Sequence, residues 1–214
     1  MATQYKTPGV YREDIFLNSE ARPAAGVPGF VGLTIKSSPE DPAVMVLRRK
    51  EEFSGAAPTS GYLADAVAGF FDNGGERCYV VLAAHTDAAE REASLEERER
   101  ALRAGIDALT RHDDLDLLAA PDAMALRLSS GAVYIDAVRR LQQAMLQQCA
   151  RLGARFAILD SPPEIELGRL LDYRNELTLG QAEPVNGALY YPWIKVTSAP
   201  RNRFIPPPGH VAGI

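Results

Sequence analysis

CYVVLAA at residues 78–84, LDLLAA at 115–120 and FAILD at 156–160 are three short apolar runs, and segments of helical pattern lie between them near 90–111 and 132–152. A third helical segment near 164–178 leads into ALYYPWIKV at 188–196. Strands alternating with helices of this length imply crossover units, so the fold class is α/β with a mostly parallel sheet flanked by helices. The helix near 90–111 carries a narrow apolar stripe at Leu95, Leu102, Ile106 and Leu109. Glu96 with Arg100 and Glu99 with Arg103 make four-residue charge pairs on its other side, which places it on the surface. The helix near 132–152 sets Val138, Leu141, Met145, Cys149 and Leu152 on one face, which is ordinary core spacing.

Upstream of this alternation, FVGLTI at 30–35 and VMVLR at 44–48 read as strands separated by the turn chemistry of SSPEDP. Between Tyr62 and Asp72 apolar residues recur at Leu63, Ala66, Val67, Phe70 and Phe71 as one helical face, which Asn73, Gly74 and Gly75 terminate. Residues 1–23 differ in kind. Pro8 removes a backbone donor and biases Thr7 away from helix, while Val10, Tyr11, Ile15 and Phe16 favour strand. The segment is an extended arm that wants a strand partner. Twenty-odd extended residues at roughly 3.3 Å each reach on the order of 65 Å or more, which exceeds the roughly 40 Å diameter of a core of this size. Ordering it costs about 1–2 kcal/mol per residue, and main-chain bonds to a neighbouring subunit offset that cost.

With 46% hydrophobic and 24% charged residues, the 214-residue chain buries a full core. Its net charge of −5 provides no field for nucleic acid or an anionic membrane. Arg48, Arg49 and Lys50, and Arg201 with Arg203, are expected in solvated faces or local ion pairs. No apolar run approaches the roughly 20 residues that a bilayer span needs, so no membrane insertion is expected. Cys78 and Cys149 form neither a disulfide framework nor a ligand spacing and read as small buried apolar residues.

An open parallel sheet binds ligands beyond the carboxyl ends of its strands, where His85, Asp87, Asp122 and Asp160 fall. A histidine and three carboxylates could hold a metal or carry acid–base chemistry. The competing reading, which we adopt, makes the three aspartates helix caps or turn formers, since Asp122 follows Pro121 and Asp160 precedes Ser161, Pro162 and Pro163. His112 and His210 have no second ligand nearby in sequence, and glycine-rich phosphate loops and nucleophile elbows are missing. No catalytic, cofactor-binding or metal residue is therefore assigned.

Six segments stand in fixed order: YKTPGVYREDIF (5–16), GFVGLT (29–34), YLADAVAGFFDNGGERCYVV (62–81), RFAILDSP (155–162), YYPWIKV (190–196) and PPPGHVAGI (206–214). Together they resemble the tail sheath proteins of contractile phage tails and the related extracellular contractile injection systems. The resemblance implies a non-enzymatic structural subunit of a contractile sheath around an inner tube, assembled in the bacterial cytoplasm without a cofactor. Its implied partners are copies of itself in stacked hexameric rings, the inner tube protein, and baseplate and cap proteins. Residues 1–23 would be the arm linking subunits by strand exchange, through Tyr5, Pro8, Gly9, Val10, Tyr11, Ile15 and Phe16. Residues 24–214 would be the α/β sheath domain, ending at the proline-rich junction 206–214. In the family that junction lies mid-chain, its three prolines expected in polyproline geometry before an apolar stub. The C-terminal family domain, absent from this chain, provides most of the arm-accepting sheet and the contact with the tube. Pro208 departs from the pattern, standing where a small polar residue is common. Two alternatives remain: a metal- or phosphate-dependent enzyme using His85, Asp87, Asp122 and Asp160, and a non-contractile adaptor that binds by strand addition.

Overall fold

The computed structural model describes residues 26–35, 42–53, 61–85, 91–178, 186–198 and 201–214. Its main sheet has six strands: β1 (Pro28–Ile35), β2 (Ala43–Leu47), β3 (Cys78–His85), β4 (Leu117–Ala119), β5 (Phe156–Asp160) and β6 (Gly187–Tyr190). They lie in the order β2-β3-β1-β4-β5-β6. Every pairing in it is parallel except β2 with β3. Four helices connect or cover these strands: α1 (Leu63–Asp72), α2 (Arg91–Ala108), α3 (Ile135–Leu152) and α4 (Leu167–Thr178).

Side-chain alternation along the strands separates two cores. Val31, Leu33, Val81, Ala83, Leu118, Ala157 and Leu159 pack with the apolar stripes of α2, α3 and α4. Phe30, Val80, Leu82, Ala119 and Ile158 face the other way, toward Leu63, Ala66, Val67 and Phe70 of α1. A strand covered on both faces reads as a nearly continuous apolar run, and β3 is buried from end to end, with His85 as its last residue. The stripe of α2 is buried as its spacing predicts, at Leu95, Leu102, Ile106 and Leu109. Its charges behave differently from the expectation. Glu99 accepts from Arg140 of α3 at 2.6 and 2.7 Å, because a guanidinium fork on a neighbouring helix matches a carboxylate better than the local pair does. On α3, Leu152 is exposed whereas Val138, Leu141, Met145 and Cys149 are buried. At the end of α1, Gly75 N–H donates to the Phe70 carbonyl at 3.0 Å, and Gly74 takes φ 100°, which glycine permits.

Two expectations for the last 30 residues need correction. ALYYPWIKV is not one strand: β6 ends at Tyr190, and Ile194–Ser198 forms β7 in a separate antiparallel pair with β8 (Arg201–Ile205). Pro192, between them, has no N–H to give a ladder. Nor do the prolines run as a polyproline segment. Pro207 lies at φ −82°, ψ 2°, and Pro208 opens a short helix, α5 (Pro208–Ala212). Proline suits a first helical position, where its missing N–H would have no helical partner anyway.

What draws α5 in is close approach to α1. A Cβ on Gly209 would run into the backbone of Ala66, and one on Gly69 would meet the His210 ring. The two glycines thus interlock the helices, with Pro208, Gly209 and Ala212 buried. Glycine to alanine within a helix ordinarily gains about 1 kcal/mol. Gly209→Ala is expected to do the opposite, losing about 1–3 kcal/mol by overpacking and lowering Tm by several degrees in a thermal melt. An unchanged or raised Tm would refute the interlock.

Candidate functional site

Two features at the carboxyl ends of the strands could carry function: a set of buried carboxyl groups and an aromatic cleft beside them. Asp122 sits in a short 3-10 turn after β4 (Pro121–Ala125) and is fully buried. Its Oδ2 accepts from Leu33 N–H of β1 at 2.7 Å. Oδ1 accepts from Tyr62 N–H at 2.5 Å and Leu63 N–H at 2.8 Å. The side chain therefore caps α1, a helix about 60 residues earlier, satisfying donors that no residue of α1's own first turn serves. Gly32 and Gly61 leave room for it, since a Cβ on Gly32 would stand 2.8 Å from Oδ2. Burial pushes the Asp122 carboxyl up to about 6, against the pull of the three N–H donors.

Asp160, the last residue of β5, is also buried, and burial holds its carboxyl well above the usual carboxylate range. Its Oδ1 has no hydrogen-bond partner among the described residues. The neutral acid is the form that such a site tolerates. It is thus no cap for α4, which begins seven residues on at Leu167. The Asp160 carbonyl accepts from Gln142 Nε2 at 2.7 Å, and Gln142 Oε1 accepts from Tyr173 O–H at 2.7 Å. His85 is buried at the end of β3, and Asp87 lies outside the described residues. Among the described residues no group of three His, Cys, Asp or Glu is placed to hold a metal. The arm residues Tyr5, Pro8, Gly9, Val10, Tyr11, Ile15 and Phe16 likewise lie outside the described residues.

The remaining candidates are accounted for by packing. Burial pushes the thiols of Cys78 and Cys149 up to about 12, which leaves them protonated. His112 stacks on Tyr79 with ring centres 4.5 Å apart. Burial holds His210 below its ordinary range, although the Asp72 and Asp65 carboxylates pull the other way. Three of the basic residues form ion pairs: Arg49 with Glu52 at 3.3 Å, Lys50 with Asp72 at 2.8 Å, and Arg203 with Asp65.

Beyond β5 and β6 lies the cleft, about 530 Å³ in volume and walled by Tyr62, Tyr191, Trp193 and Phe204, with Pro162, Pro163 and Pro192 between them. Its walls are held from behind. Trp193 Nε1–H donates to the Ser161 carbonyl at 2.8 Å and meets Tyr62 edge to face at 5.3 Å. Arg203 lies over the Tyr62 ring at 5.4 Å, and Arg127 Nη2 reaches the Tyr62 hydroxyl at 3.3 Å. Phe204 and Tyr191 remain 61% and 47% exposed, so a large apolar surface faces solvent at the mouth. A neighbouring groove beside α4 is lined by charges such as Arg139 and Glu176, which pair with each other at 2.7 Å. Sequence reasoning missed the cleft, although the aromatic residues of YYPWIKV and the double proline after Asp160 were its visible signs.

The architecture, a parallel α/β layer with a separate β-hairpin and a terminal helix, recurs in solved contractile particles. A chain of the contracted baseplate of the anti-feeding prophage matches it with a TM-score of 0.63 and 21% identity, over 98% of this chain and 54% of that one. A chain of the contracted helical sheath of the same particle matches with a TM-score of 0.52 and 21% identity, over 98% and 51%. A chain of the six-fold symmetrised baseplate gives 0.54 and 22%, over 98% and 51%. The chain therefore spans about half the length of the chains it matches, and its fold is that of contractile injection system sheath-like proteins. No protein-family model and no curated protein matches the sequence. Among the described residues no helix is long and apolar enough to cross a membrane.

The buried acids make a stability prediction with a definite sign. A carboxyl whose folded value is raised from 3.8 to about 6 favours folding most below its unfolded value, and that advantage is lost as pH rises through 6. Between pH 4 and 6.5 wild type should lose roughly 2 kcal/mol relative to Asp122→Asn, which does not titrate there. Urea titrations of both proteins across that range measure it, and parallel curves would exclude the raised value. Separately, Asp122→Ala strands three donors and should lower stability at pH 7 by about 3 kcal/mol or more.

Proposed function

We infer that this chain is a non-enzymatic structural subunit of a contractile sheath, or of the sheath-like part of its baseplate. One observation carries the reading: 98% of the chain is covered by matches to chains from both the baseplate and the helical sheath of one contractile particle. Copies of the subunit would stack as hexameric rings around an inner tube, with baseplate and cap proteins at the ends. The particle would assemble in the bacterial cytoplasm. Subunits would be linked by strand exchange through residues 1–23, whose length and strand-forming residues suit a reach to a neighbour. The aspartates that an enzyme would use support the structural reading in their own way. One is consumed as a cap for α1, and another is buried with its Oδ1 unpartnered among the described residues.

Repetition of one head-to-tail link generates a ring or an open helix, depending on whether the rotation closes. Removing residues 1–16 from the particle-forming protein should leave a folded subunit, because both described cores are closed by residues from 27 onward. It should abolish ordered sheath in electron micrographs while the Tm of the subunit stays within a few degrees. Normal sheaths from the shortened protein would sink the linking role.

A further inference from the structure

We propose that the aromatic cleft receives the proline-bearing head of the arm, residues 4–9 (QYKTPG), from a second copy of this chain. The inference rests on the sheath reading and goes beyond it. It assigns the head of the arm to a receiver within residues 62–204, and leaves the strand-forming residues 10–16 for strand exchange.

The chemistry of the two partners matches. Aromatic-lined grooves recognise proline segments because a polyproline strand is already stiff and loses little entropy on docking. That conformation repeats every three residues, so in it Tyr5 and Pro8 would fall on one face about 9 Å apart. The cleft offers Tyr191 and Phe204 at its mouth and Trp193 and Tyr62 within. Its volume of about 530 Å³ is in the range of pockets that enclose a ligand group. Lys6, beside Thr7 and Pro8, finds an exposed counter-charge in Glu164 on the lining. The cleft wall is fixed by Ser161, Arg127 and Arg203 without any ligand, so docking pays no cost for building the site.

Topology favours a second copy as the donor. Pro28 of β1 is level with Leu117 of β4, which is level with Phe156 of β5. The arm therefore joins the fold at the amino ends of the parallel strands. The cleft lies past their carboxyl ends, about 20 Å further along the strand axis. In a head-to-tail stack the arm of one subunit leaves from the pole that faces the cleft of the next. The chain between Pro8 and Gly26 spans up to about 60 Å, enough to cover that step.

Trp193 is the only tryptophan in the sequence, so the cleft carries its own reporter. A synthetic peptide of residues 4–16 titrated onto the full chain, with selective excitation of the indole, should give a saturable change in Trp193 emission. A Pro8→Ala peptide should bind at least tenfold more weakly. Tyr191→Ser with Phe204→Ser in the protein should abolish the change while leaving the melt intact, since both side chains are half exposed or more. Absence of a saturable change, or equal affinity for the double variant, overturns the proposal. The donor is tested by mixing chains that carry the arm but the double substitution with chains that have the cleft but lack residues 1–16. A one-to-one complex in sedimentation, formed by the mixture and by neither alone, is expected, whereas no complex means that the arm does not cross between copies. If the doubly substituted protein builds normal sheaths while the shortened one builds none, the cleft assignment falls and the linking role of the arm stands.

Discussion

Three backbone donors from two separate segments converge on one carboxyl group, and the arrangement of the layers follows from it. Asp122 ties the end of β1 and the start of α1 to the turn after β4. Without it α1 would present unsatisfied N–H groups to a buried environment, at a cost of about 1–3 kcal/mol each. With α1 so placed, its apolar face covers Phe30, Val80 and Leu82, and Phe70 meets Phe30 edge to face at 5.8 Å. The same helix then offers Asp65 to Arg203 and its small residues Ala66 and Gly69 to α5. The spacing of glycines in GFVGLT has its reason here as well. Gly32 leaves room for Asp122 and Leu63, and Gly29 does so for Leu109 and Leu115.

What could be read from the sequence was what depends on local pattern. Apolar runs such as CYVVLAA and FAILD are strands because both faces are covered, and the stripe of α2 lies where its spacing puts it. Contacts between distant segments were not legible. Asp122 reaches residues 59 and 89 positions away, so proximity to Pro121 suggested a local cap when the cap is remote. Glu99 left its neighbour for a guanidinium on α3, and Pro192 divided a strand that its flanking residues favoured. The helix α5 escaped notice because three prolines argue for an extended chain. What overrides them is a glycine whose missing side chain lets two backbones meet.

The cleft shows the same limit at the level of function. Its wall joins residues 62, 127, 162–164, 191–193 and 204, and no window of sequence contains more than a few of them. In the alternative site at the strand ends, His85, Asp122 and Asp160 lie in buried positions where charge is expensive, and Asp87 lies outside the described residues. At that end of the sheet only a histidine and carboxylates were weighed from sequence, with no site assigned to them, and aromatic residues were not considered. Exposed aromatic side chains, with polar groups holding them from behind, are what that end presents to solvent.

The hairpin and α5 also bear on how the molecule responds to force. Among the described residues β7 and β8 share no ladder with the six-stranded sheet, and α5 packs against α1 and β5. A pull applied at α5 thus meets the glycine interlock, and then the Arg203–Asp65 pair and the two-stranded β7–β8 ladder, before it meets any row of hydrogen bonds in the six-stranded sheet. The interlock and the ion pair yield one at a time, whereas a ladder loaded along its strands resists as a unit. The six-stranded layer is accordingly braced by its ladders, while the hairpin and α5 form a more compliant coupling at its edge.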